Sequence, residues 1–177
     1  LEKIVTGGQT GVDRAALDVA LELHIPCGGW CPKDRRAEDG TIPDQYPLQE
    51  SPTTNYAERT ALNVRDSDGT LILSRGALRG GTALTKTFAE RYRRPYLVVD
   101  LRSAESQTVI DWLHEHSIKV LNIAGPRESS QPGIAQAVGE FLRSLFRDKS
   151  RHAAGETGRR RARRSHIVTS TSRKASR

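Results

Sequence analysis

The chain has 177 residues, with Lys+Arg 28 against Asp+Glu 21 and a formal net charge of +7; that length suits one domain with a substantial core rather than two. The charge is uneven. Ten basic residues fall from Lys149 onward against Glu156 alone, so that stretch carries +9 and residues 1–148 carry −2. The body is therefore mildly acidic, which removes the composition-based case for a nucleic-acid surface on the domain itself. No apolar run approaches the ~18–20 residues of a spanning helix. Two cysteines, Cys27 and Cys31, make neither a disulfide framework nor the double pair of a zinc site, so free thiols are expected. The chain begins at Leu1, has no Met and shows no signal-peptide pattern. A missing natural start and a cytoplasmic, soluble protein without membrane association are the expectations.

A short strand, Glu2 to Thr6, enters Gly7-Gly8-Gln9-Thr10-Gly11-Val12-Asp13-Arg14. Val12, Ala16, Val19, Ala20 and Leu23 then recur at helical spacing, which predicts a helix from Val12 to Leu23 with one face on a sheet. Thr10 with Asp13 reads as a capping box. The glycine spacing fits neither the dinucleotide fingerprint nor the P-loop. It is either a plain tight turn or a loop that holds an oxyanion on backbone N–H groups at a helix start. Cys27 to Trp30 is a short strand or extended stretch. Residues 32–53 carry five prolines and glycines among many charges and have no clear period; a loop so long is commonly functional or mobile.

Thr54 is placed to cap a helix from Asn55 to Asp66 with Ala57, Ala61 and Val64 buried. Tyr56, Arg59, Thr60 and Asn63 form a polar stripe beside that face, facing either solvent or a cleft. Gly69 to Ser74 is a buried strand, and Arg75 to Thr82 leads to a helix at about Ala83 to Arg93. Pro95 to Leu101 is the next strand, followed by a helix from Ser103 or Ala104 to about His116. Lys119 to Ala124 is the final strand, and Gly125 to Ser130 leads to a helix at about Pro132 to Phe146. Strand–helix alternation with continuous apolar strands predicts an α/β fold with a mainly parallel sheet of about five strands covered on both faces. The domain is expected to span residues 1–147, with a basic, disordered tail at 148–177.

In such sheets ligands bind outside the carboxyl ends of the strands. Three glycine-bearing, hydroxyl-bearing loops occupy that edge, each leading into a helix. The first offers Gly7, Gly8, Gln9, Thr10, Gly11, Asp13 and Arg14; the second Arg75, Arg79, Gly80, Gly81 and Thr82; the third Gly125, Pro126, Arg127, Glu128 and Ser129. Amide and guanidinium donors of this kind predict a site for a small anionic ligand. Any one arginine could instead pair with Asp13, Asp68 or Glu128. No catalytic residue is assigned, because no histidine is placed to activate Ser74, Ser129 or Ser130. No metal held by protein side chains is expected.

Gly7 to Ala16, Gly29-Trp30-Cys31-Pro32, Asp39-Gly40, Tyr46, Glu50, Arg59-Thr60, Asn63-Val64, Gly80-Gly81-Thr82, Thr85 and Gly125 to Ser129 together resemble the putative molybdenum carrier family, across about residues 3–146. The resemblance implies a single Rossmann-like, three-layer αβα domain related to the lonely-guy-type phosphoribohydrolases of the SLOG superfamily. It also implies a homo-oligomer, dimer or tetramer, that carries the molybdenum cofactor, a pterin with a terminal phosphate and a dithiolene-held metal. A nucleotide or nucleotide-derived ligand is the alternative. The phosphoribohydrolases carry P-G-G-x-G-T-x-x-E; here Thr85 stands where that glutamate would fall, which counts against N-glycoside hydrolysis. The tail either binds nucleic acid weakly through its charge or is an inert extension.

Overall fold

The computed structural model describes residues 1–147; the basic segment expected at 148–177 lies outside them. In chain order the elements are β1 (Lys3–Val5), α1 (Val12–Glu22), β2 (Cys27–Gly28), β3 (Trp30–Cys31), β4 (Arg36–Ala37), β5 (Gly40–Thr41), β6 (Gln49–Glu50), α2 (Tyr56–Arg65), β7 (Gly69–Ser74), α3 (Gly80–Arg91), β8 (Tyr96–Asp100), α4 (Ser106–Glu115), β9 (Val120–Ala124) and α5 (residues 134–147). Five of the strands form one sheet in the order β2-β1-β9-β7-β8, and every neighbouring pair is parallel. The fold is the expected Rossmann-like α/β domain.

Alternation along the strands separates two faces. Ile4, Leu71, Leu73, Leu121 and Ile123 join α1, α4 and α5 in one apolar cluster. The intervening residues Thr70, Ile72, Ser74 and Asn122 are also buried, on the side where α2 and α3 pack together. That face is more polar: the Asn122 side chain donates to Thr70 Oγ1 at 3.2 Å, satisfying groups whose burial would otherwise be costly. Among the described residues, no helix is long and apolar enough to cross a membrane.

The strand order has a logic that chain order hides. Counted from β9, the strands β9, β1 and β2 run outward to one edge, and β7 and β8 run to the other. That is the doubly wound order 3-2-1-4-5, with its reversal between β9 and β7. Among the described strands, the one that would open that order comes last in sequence and the one that would be second comes first.

Several local expectations change. No capping box forms: Gly11 is the N-cap of α1 without a side-chain bond, because the Thr10 hydroxyl turns away to Glu38. Asn55, not Thr54, caps α2 by accepting the Ala57 N–H at 2.9 Å. Of the expected buried residues of α2 only Val64 is fully buried, joined by Thr60 and Asn63. Helix α3 starts at Gly80, earlier than its apolar pattern suggests, since a first turn needs no apolar face. The stretch from Cys27 to Trp30 splits at Gly29, whose φ is +123° and whose added Cβ would lie 2.3 Å from the Thr6 carbonyl oxygen. After the split, β3 leaves the main sheet and pairs with β6. The long loop also contains a small antiparallel pair, β4 with β5.

Candidate functional site

A cavity of about 580 Å³ opens at the β9–β7 reversal, where doubly wound sheets bind their ligands. Its floor is Ala124, Gly125 and Pro126, at and after the end of β9. One wall is the start of α3, with Arg79, Gly80, Gly81, Thr82, Leu84 and Thr85, and the other is Tyr56, Ala57, Arg59 and Thr60 of α2. Gln9 and Asp13 enter from the β1 side, and Arg75, Arg127, Ser130 and Gln131 complete the rim.

Helix α2 is fixed by an amide clamp. The Asn63 side chain accepts the Trp30 N–H and donates to the Trp30 carbonyl, each at 2.8 Å, while Trp30 Nε1 donates to Asp66 at 2.9 Å. This sets Arg59 over Gly7, where an added Cβ would lie 1.7 Å from the guanidinium. Only glycine leaves room for the arginine. Arg59 Nη1 then donates to Asp13 Oδ2 at 3.1 Å. Asp13 is 3% exposed. Burial pushes its carboxyl above the usual range, and the Arg59 charge opposes that rise without cancelling it. The Arg59 Nε is buried without a hydrogen-bond partner.

At the opposite wall, the added Cβ of Gly80 or Gly81 would meet nothing within 4 Å, so the first turn of α3 is open. Its N–H groups carry the positive end of a 12-residue helix. Thr82 is 6% exposed, and its hydroxyl makes no hydrogen bond among the described residues. Arg79 likewise has no carboxylate partner among them. Arg75 is held by carbonyls instead, donating to those of Pro132 and Gly133 at 3.2 and 3.1 Å, which leaves its charge uncompensated. Thr85, at the position of the phosphoribohydrolase glutamate, donates to the Gly81 carbonyl at 3.0 Å.

Of the residues expected at the site, Gln9, Asp13, Arg75, Arg79, Gly80, Gly81, Thr82, Gly125, Pro126 and Arg127 line the cavity; the other seven are not part of its lining. Gly7 lies under Arg59, and Gly8 and Gly11 are hemmed in by Leu48 and the Pro126 carbonyl. Arg14 pairs with Asp39. Glu128 accepts the N–H groups of Gly133 and Ala135 at the start of α5, which makes it a capping group. Thr10 and Ser129 donate to Glu38, which also lies 3.7 Å from the Arg127 guanidinium. Burial alone would raise the Glu38 carboxyl, but the Ser129 and Thr10 donors hold it below the ordinary range. Of the three expected carboxylate partners, Asp13 pairs with Arg59 instead, and among the described residues neither Asp68 nor Glu128 pairs with Arg14, Arg75, Arg79 or Arg127. The α2 residues Tyr56, Arg59 and Thr60 were legible only as a polar stripe that could have faced solvent, and Glu38 carried no local signal.

Among the described residues, no group of three or more His, Cys, Asp or Glu is placed to hold a metal ion. No curated protein matches the chain. A crystal structure from Syntrophus aciditrophicus SB, described as a putative molybdenum carrier protein, is 53% identical, with 82% of this chain and 94% of that chain covered and a TM-score of 0.79. Residues 4–146 match the circularly permutated YpsA SLOG family, and a permuted sheet is what the strand order displays. The chain belongs to that family.

Proposed function

We propose that the protein binds and carries a small anionic ligand in the β9–β7 cavity, and that the ligand is the molybdenum cofactor or a related anionic pterin. The observation that carries this reading is the unengaged donor set at the start of α3: open Gly80 and Gly81, the free Thr82 hydroxyl, and Arg79 without a carboxylate. Such donors suit a terminal phosphate. Each hydrogen bond to a charged oxygen contributes about 1.5–3 kcal/mol, against about 0.3–1 kcal/mol from a helix dipole. The specific N–H and guanidinium contacts therefore dominate. Tyr56, Ala57, Leu84 and Pro126 supply apolar surface for a flat ring system. Among the described residues the lining contains no Cys or His, so those residues fit a cofactor whose own dithiolene holds the metal. When bound, that group would bring the molybdenum, and the chain's part is to hold the phosphate and cover the ring. The similar structure's description as a putative molybdenum carrier protein supports the same reading. Self-association as a dimer or tetramer belongs to it.

A nucleotide or nucleotide-derived ligand is the second reading, favoured by the cavity's place at the topological switch point. Hydrolysis is the weaker part of that alternative, because Thr85 directs its hydroxyl to a backbone carbonyl where the related enzymes use an acid.

Denaturing the purified protein and identifying the released small molecules by mass spectrometry tests the proposal. A pterin with bound molybdenum, or protection of added cofactor from oxidation, is expected. Tight retention of nucleoside phosphates with no protection of added cofactor would overturn the carrier reading in favour of the second.

A further inference from the structure

An anionic group held at α3 leaves the rest of the ligand facing the β1 side of the cavity. The sheet order separates β1 from β7 by two strand spacings, about 10 Å. That is room for a fused bicyclic ring between the two ends. Among the described residues, Asp13 is the only carboxylate lining the cavity, beside four arginines. The donors Arg59 and the Gln9 N–H both fall on Oδ2, and the buried Thr6 hydroxyl lies close enough to help hold the carboxylate's charge. A carboxylate has acceptor sites on both oxygens, so capacity remains. Gln9 stands beside it. Its Oε1 accepts the N–H groups of Thr10 and Glu38 at 3.0 and 2.9 Å. Those two bonds fix the orientation of the amide, and its Nε2 donates to nothing among the described residues. An acceptor and a donor thus stand side by side at the end of the cavity opposite the anion site.

We infer that Asp13 and Gln9 read the 2-amino-4-oxopyrimidine edge shared by pterins and guanine, Asp13 accepting from the ring N–H and amino group and Gln9 Nε2 donating to the ring carbonyl. The inference rests on the anion-binding reading above and adds to it the identity of the ring edge. Adenine offers the reverse pattern, an acceptor where Asp13 needs a donor. Hypoxanthine keeps the N–H and the carbonyl but lacks the amino group. The elevated Asp13 pKa agrees with this arrangement, since two N–H donors would compensate a carboxylate that burial leaves under-compensated.

Titration calorimetry with GMP, IMP and AMP, which share one phosphate and sugar, tests the edge with the phosphate held constant. GMP is expected to bind at least about tenfold more tightly than either, the effect of one hydrogen bond to a charged group. Asp13→Asn should narrow the GMP-to-AMP ratio while inorganic pyrophosphate binds as before. Equal affinities for the three nucleotides would overturn the inference and leave the anion site standing, whereas failure of every probe, pyrophosphate included, would remove both. An Asp13→Asn variant that loses pyrophosphate as much as GMP would make Asp13 a structural partner of Arg59 and overturn it as well.

Discussion

The two sides of the cavity are alike in sequence and different in state. On the β1 and β9 side, the loops that carry Thr10, Arg14, Arg127 and Ser129 meet carboxylates of the β4–β5 hairpin. Thr10 and Ser129 donate to Glu38, and Arg14 pairs with Asp39. On the β7 side, Asp100 takes the Gly76 N–H and Gln131 takes the Arg75 N–H, which hold the loop in place. Among the described residues, the Arg79 guanidinium has no carboxylate partner, and the Thr82 hydroxyl and the N–H groups of Gly80 and Gly81 make no hydrogen bond. Glycine and arginine in a loop therefore do not by themselves make a binding loop. What decides is whether a distant part of the chain has already taken the donors.

The largest expected effect tests the one charge pair that reaches from α2 to the β1 side. Arg59→Ala leaves the Asp13 carboxylate buried and without its ion-pair partner, which should lower stability by about 2–4 kcal/mol, scaled down from a fully buried pair because the arginine is partly exposed. The pH dependence has a definite sign. The folded-state pKa of Asp13 lies above its unfolded value of about 3.9, so its contribution is fully present below that pH and is lost as pH rises through the folded value. Removing Arg59 removes the main opposing charge and moves the folded value higher still. The deficit of the variant should therefore widen from acid to neutral pH in denaturant titrations. An equal deficit at both ends would mean that Asp13 does not depend on Arg59 for its ionisation.

Local pattern made the scaffold legible, and distance hid the site's details. Each main-sheet strand and each helix could be read from apolar periodicity and from the glycines between them, because those signals lie within a few residues. The strand order could not, since it depends on which strands pair across the whole chain: β1 lies beside β9, which follows it by more than a hundred residues. The same limit applies to the site. Three loops at the carboxyl edge were recognisable, but Glu38 bonds Thr10 across 28 residues and Ser129 across 91, so nothing near Glu38 announces its role. Arg59 sat on a helix stripe that could equally have been wet. Only the clamp of Asn63 on Trp30, 33 residues apart, turns that stripe inward.

Glu38→Ala probes the engaged side and should cost less, about 1–2 kcal/mol, since several charge-assisted bonds are lost from a largely solvated hairpin. Its pH window differs from that of Arg59. The folded-state pKa of Glu38 is depressed, so the stabilisation is present above the unfolded value of about 4.3 and disappears as pH falls through the lower folded value. On acidification from neutral, the Arg59→Ala deficit should shrink first, while that of Glu38→Ala persists until below about pH 4.3. Thermal denaturation of both variants at pH 7 and pH 4.5 separates them. If both deficits fade together, the two carboxylates are not in the contrasting environments described.

The smallest effect falls on the open side and is expected to stabilise. Gly81 lies in the first turn of α3 with an ordinary φ, and a Cβ there would meet no atom within 4 Å. Gly81→Ala removes glycine's unfolded-state entropy without strain, a gain of about 0.5–1 kcal/mol. The fold improves, but the new methyl projects where an anion would approach the N–H groups of the turn. Stability and binding should therefore move in opposite directions: a higher melting temperature, and weaker binding of inorganic pyrophosphate. Nothing on the engaged side should behave this way, because a Cβ at Gly7 or Gly125 would meet Arg59 or the Leu73 carbonyl at close range and disturb the packing first. A stabilised Gly81→Ala protein that binds pyrophosphate as tightly as before would place the anion away from α3.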